Sequence, residues 1–196
     1  TQLRFMQHQD LGIKSQQLIT IINGTSLGNK LQAFRQELLK NASVESVTNS
    51  SLMFAAGVPE SAYTFENQTN TGPVYAAFLD VDEYFVPTFG IAMKGGRFFD
   101  ASMPTDSSAV VINETAARDF APNAKSILGH HITTVSNDSL RRVYRIIGVT
   151  KDFNFESLHQ VIKPLVLHLN RVQQASTYIT IKYRGNDAAN VRKYVE

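Results

Sequence analysis

Between residues 18 and 52 the hydrophobic period changes twice, and these changes constrain the backbone more tightly than any composition figure. Leu18-Ile19-Thr20-Ile21-Ile22 is β-branched and nearly continuous, the pattern of a strand covered on both faces. After Gly24-Thr25-Ser26, the residues Leu27, Leu31, Phe34 and Leu38 recur at helical spacing as one apolar stripe, with Ser26 placed to cap it and Asn41 to end it. From Val44 to Leu52 the period returns to that of a strand, so the stretch predicts a βαβ or split unit.

Downstream, apolar runs predict strands over 74–81, 109–112, 131–134, 142–150, 165–169 and 178–183, and a strand or bend over 91–99. Short helices or turns are expected at Glu83–Phe89 and, capped by Asn113, at 114–120; Asp187 caps a last helix. Residues 53–71 are rich in Gly, Pro, Ser, Asn and Thr, which predicts loops and short strands and places a subdomain boundary there. Residues 1–12 read as the end of an entering helix that Gly12 closes. The fold class expected is α/β (α+β) in two subdomains.

Composition removes several functions. The chain of 196 residues is 43% hydrophobic, enough for a proper core, and its net charge of +2 is spread thinly. The densest basic stretch, Arg141 to Arg145, alternates as a solvated strand face would, so no clustered phosphate-binding patch exists. With no cysteine, neither disulfides nor thiolate metal sites nor a cysteine nucleophile can form. No apolar run reaches a membrane span and no signal peptide is visible. The missing initiator Met and the end at Glu196, inside a helical pattern, suggest a piece of a longer protein. Sequons at Asn23, Asn41, Asn49, Asn67, Asn113 and Asn137 are what an Asn-, Ser- and Thr-rich chain produces by chance.

Few residue patterns carry chemistry. Gly24-Thr25-Ser26-Leu27-Gly28 fits G-x-S-x-G between a strand and a helix, the context of a nucleophile elbow. Asp100 or Asp152, then His159 or His168, would complete the order of a serine hydrolase, but only 25 residues precede Ser26, too few for the strands that build the oxyanion hole. Glycines around a helix-capping serine are the simpler reading. His130 and His131 adjoin in a predicted strand, so their rings are expected on opposite faces. His159 and His168 lack a carboxylate at ligand spacing, and Asp80, Asp82 and Glu83 lack the alternation of a Ca²⁺ loop. Gly95-Gly96 lacks the spacing of a phosphate cradle and reads as a bend with Arg97 paired to a carboxylate. No catalytic, cofactor or metal residue is expected. In 52–65, the apolar residues Leu52, Met53, Phe54, Val58, Tyr63 and Phe65 read as core before partner surface.

Several phrases recur in a familiar order. Asp10-Leu11-Gly12-Ile13 and Val44 to Ser51 are followed by Gly95-Gly96-Arg97-Phe98-Phe99 and Val110 to Ala117. Then come Ile127-Leu128-Gly129, Ile147-Gly148-Val149-Thr150-Lys151-Asp152-Phe153-Asn154-Phe155-Glu156-Ser157-Leu158-His159 and Ile162-Lys163-Pro164. Together they resemble the extracytoplasmic (periplasmic) core domain of MacB/FtsX-type ABC transporter permeases, in particular a Bacteroidetes-like branch.

That resemblance implies a domain inserted between the first two transmembrane helices of an inner-membrane permease. Its Porter-like part would be residues 13–55 and 160–196, and its inserted, mostly-β Sabre-like part residues 56–159. It implies no covalent chemistry and no cofactor. Its implied partners are the parent transmembrane helices, a cytoplasmic ATPase, fused or separate, and a periplasmic adaptor or cell-envelope protein, with a dimer in the full-length transporter. On this reading Phe153 and Phe155 pack the crossing between the parts, and Pro164 opens the next strand. The competing readings are a stand-alone extracytoplasmic ligand-sensing domain and, more distantly, the hydrolase built on Ser26.

Overall fold

Among the described residues ten strands pair into one continuous network whose middle closes on itself. The computed structural model describes residues 17–22, 27, 30–51, 57–66, 72–135, 141–155, 161–170, 178–185 and 188–195. Three strands form an antiparallel layer in the order β1 (Leu18–Ile22), β10 (Tyr178–Tyr183), β2 (Val44–Ser50). Because β10 lies between them, β1 and β2 run parallel, which is the split form of the expected unit. Helix α1 (Leu31–Leu39) lies against this layer, with Leu31, Leu38, Val47, Ile179 and Ile181 buried together, and Leu27 and Phe34 packed alongside. The predicted stripe is therefore the packed face. The helix begins at Leu31 without a side-chain cap at Lys30, and Ser26 lies outside the described residues. Val191 of the last helix, α4 (Ala188–Val195), joins the same cluster. The entry helix expected over residues 1–12 and the cap expected at Asp187 also lie outside the described residues.

The other strands are β3 (Glu60–Phe65), β4 (Val74–Val81), β5 (Met93–Gly96), β6 (Ala109–Asn113), β7 (His131–Thr134), β8 (Val143–Thr150) and β9 (Leu165–Leu169). Successive pairing runs β4-β3-β7-β8-β6-β9, and β9 returns to pair in parallel with β4, so these strands form a closed barrel. Registers place Tyr63, Ala76, Ile132, Ile146, Val110, Ile112 and Val166 on its inner face, where they form one buried cluster. Side chains fill a barrel of this size. Ala116 and Phe120 of α3 (Glu114–Phe120) join that cluster. The outer wall of β4, β6 and β9 is covered by a second cluster containing Phe85, Phe89, Phe99, Phe153 and Phe155, partly supplied by α2 (Phe85–Phe89).

Local chemistry explains several joints. Asn113 ends β6 and starts α3, its Oδ1 accepting the N–H groups of Ala116 and Leu165 at 2.9 Å each while its Nδ2 donates to the Lys163 carbonyl. The expected cap thus also ties the helix to β9. Pro164 directly precedes β9, and its carbonyl accepts from the Ala77 N–H at 2.9 Å. Strand β9 is hydrogen-bonded between β4 and β6.

Candidate functional site

The three-stranded layer meets the barrel along a short seam. In the ladder, β2 and β4 share one residue pair, Ser50 with Val81. The Ser51 N–H donates to the Asp80 carbonyl at 2.9 Å, and the Asp80 N–H donates to Ser51 Oγ at 3.0 Å. Asp82 closes the seam: Thr48 Oγ1 donates to its Oδ1 at 2.5 Å, the Asn49 N–H to its Oδ2 at 3.0 Å and the Tyr84 N–H to its Oδ1 at 3.1 Å. The residue is 5% exposed. Burial outweighs these donors and raises the Asp82 carboxyl to about 7.

A cavity of about 220 Å³ opens beside this clasp. Residues of α1, β2, β10 and the turn after β4 line it, with Ala101 and Asn170 at its edge. Its apolar wall is Leu31, Val47 and Ile179. On α1, the Arg35 guanidinium lies 3.2 Å from the centre of the Tyr84 ring, and its Nε donates to the Val47 carbonyl at 3.1 Å. Both contacts hold the side chain across the seam.

The protonation of Asp82 gives a measurable signature. A carboxyl raised on folding adds stability that is complete below its unfolded value near 3.8 and is lost as pH rises toward 7. Asp82→Asn removes this dependence. Urea midpoints of the two proteins should agree near pH 4, and by pH 8 the variant should gain at least about 1.4 kcal/mol on the wild type, the worth of one pKa unit. Parallel profiles would show that the clasp holds an ordinary carboxylate.

Residues singled out in the sequence disperse. Ser26, Gly24, Gly28 and His159 lie outside the described residues. Asp100 accepts from the N–H and Oγ of Ser102, and Asp152 accepts from the N–H and Oγ1 of Thr115 and from Arg118. His168 points into the barrel, where its Nε2 lies 3.0 Å from Tyr63 Oη. Burial lowers the His168 imidazole to about 4 and raises the Tyr63 hydroxyl, so both are neutral at physiological pH. Asp80 shares the register of His168 on the inner face, whereas Asp82 and Glu83 follow the end of β4, so the acidic trio is split.

His130 and His131 depart from the expectation of opposite faces. β7 begins at His131, which leaves His130 free of the strand alternation. Their Nδ1 atoms converge on the two oxygens of Glu66 at 2.5 and 2.8 Å, and both bonds lower that carboxyl. Arg97 pairs bidentately with the buried Asp106 at 2.7 Å for each bond, so the Gly95-Gly96-Arg97 bend is ion-paired. In the loop region, Tyr63 is buried and Val58 and Phe65 pack on the core; Leu52, Met53 and Phe54 lie outside the described residues. Sequence reasoning missed Arg35 and Tyr84 and weighed Asp82 only as a Ca²⁺ ligand. The available signal was an Asp two residues before the Tyr84 N–H it accepts, the pattern of an Asx turn leading into a helix.

A family model described as the MacB-like periplasmic core domain matches residues 3–196. The chain belongs to this family. It is the periplasmic core domain of an ABC transporter permease. The periplasmic region of MacB from Actinobacillus actinomycetemcomitans superposes with a TM-score of 0.61 at 20% identity, over 94% of this chain and 82% of that one. The extracellular domain of the noncanonic ABC-type transporter YknZ from Gram-positive bacteria gives 0.58 at 11% identity, over 90% and 88%. A permease domain from Porphyromonas gingivalis gives 0.54 at 17%, over 86% and 74%. No curated protein matches the chain. At these identities the solved structures speak for the shared fold. Among the described residues of this family member, no helix is long and apolar enough to cross a membrane.

Proposed function

We propose that this domain performs no bond chemistry and transmits movement, coupling ATP hydrolysis by a cytoplasmic ATPase to export or to engagement of a periplasmic adaptor or cell-envelope protein. In this reading residues 13–55 and 160–196 form the Porter-like part and residues 56–159 form the Sabre-like part. The observation that supports it is the joint. Two bodies with their own cores share one ladder pair, the Ser51–Asp80 bonds and the Asp82 clasp, with α2 packed on β2 and β10 beside them, so changes there re-aim one body against the other.

The chain has no cysteine, which makes the seam addressable. In the full permease with its ATPase, reconstituted in lipid, a Thr48→Cys/Asp82→Cys pair replaces two side chains already in contact. Oxidation should lower ATP turnover several-fold relative to either single variant, and reductant should restore it. Equal turnover in fully cross-linked and reduced protein would refute coupling through this seam.

A further inference from the structure

The cleft beside the seam holds two opposite charges that do not meet. Arg35 donates through Nε to a backbone carbonyl and lies over Tyr84, and its terminal nitrogens take no acceptor among the described residues. Glu83 lines the same cavity, and its carboxylate has neither an ion pair nor a hydrogen bond among the described residues. Asp82, the third ionisable group of the cavity, is occupied by its three donors. A ligand that carries both charges can pair with each of them at once. Stacking on Tyr84 holds Arg35 in place, so its fork stays open to a planar carboxylate.

We propose that this cleft binds a small zwitterion, an aliphatic α-amino acid, with its carboxylate on Arg35 and its ammonium toward Glu83. Leu31, Val47 and Ile179 line the same cavity and suit a branched hydrocarbon side chain. The volume of about 220 Å³ is below the roughly 300 Å³ at which sites for drug-sized ligands begin, and it matches a metabolite of this size. Binding needs only the cleft itself and does not depend on the coupling proposed above.

Calorimetric titration of the chain with L-leucine, 4-methylpentanoate and 3-methylbutylamine tests the assignment, because the last two each lack one of leucine's charges. L-leucine should bind saturably and at least about tenfold more tightly than either analogue, since each analogue leaves one charged partner without its mate. Arg35→Gln should weaken L-leucine without affecting 3-methylbutylamine, and Glu83→Gln should weaken L-leucine without affecting 4-methylpentanoate. Glu83 bonds nothing in the described fold, so the Glu83→Gln result decides the matter if Arg35→Gln melts early. No saturable heat with L-leucine, equal affinity for the three compounds, or unchanged L-leucine affinity in Glu83→Gln would overturn the proposal.

Discussion

Replacing Phe153 by alanine should lower stability by about 3 to 5 kcal/mol, the cost of truncating a fully buried aromatic ring. The ring is 1% exposed and meets Phe155 edge-on with centroids 5.9 Å apart. Both belong to the cluster that covers the outer wall of β4 and β9, together with Phe85, Phe89, Leu165 and Leu167. Removing one ring leaves a cavity between segments distant in sequence, which a rigid strand wall cannot collapse to fill. Urea melts read the effect directly. A loss below about 1 kcal/mol would mean that the ring contributes little packing.

Gly148→Ala should be comparably severe, about 3 kcal/mol or more, at the upper end of overpacking penalties. A Cβ on Gly148 would lie 2.2 Å from the Arg97 carbonyl oxygen, a backbone atom that cannot swing aside. Its ladder partner Gly96 is equally constrained, with φ at +68° and a Cβ position 2.3 Å from the Ile147 carbonyl oxygen. The two glycines let β5 and β8 approach more closely than side chains allow, and β8 is also paired with β6 and β7. Gly57→Ala is the internal control, because no atom lies within 4 Å of its would-be Cβ. That variant should shift stability by less than about 1 kcal/mol. Similar midpoints for the two glycine variants would rule out the close approach.

The strands with clear β-branched patterns were legible beforehand, as were the stripe on α1 and the Asn113 cap, because each depends on neighbours within a few residues. β3 falls in the region expected to hold loops and short strands, but its bounds were not legible: in Glu60-Ser61-Ala62-Tyr63-Thr64-Phe65 only Tyr63 is fully buried, so no alternation marks it. The strand or bend expected over 91–99 is a strand only over Met93–Gly96, which ends at Gly96 with φ at +68°. The histidine pair was misjudged because a strand boundary fell between the two residues.

Local period and turn chemistry are properties of contiguous residues, so the amino-acid order alone decided most of the strands and helices and that the chain is mixed α and β. Barrel closure was not decided there. It depends on β9 pairing with β4, whose Leu165 and Ala77 partners are far apart in the chain, and hydrophobic alternation says which face is buried without saying which strand lies alongside. The cleft has the same origin. Arg35, Asp82 and Tyr84 meet only because the layer and the barrel dock, and a charge or ring acquires its partner through that docking.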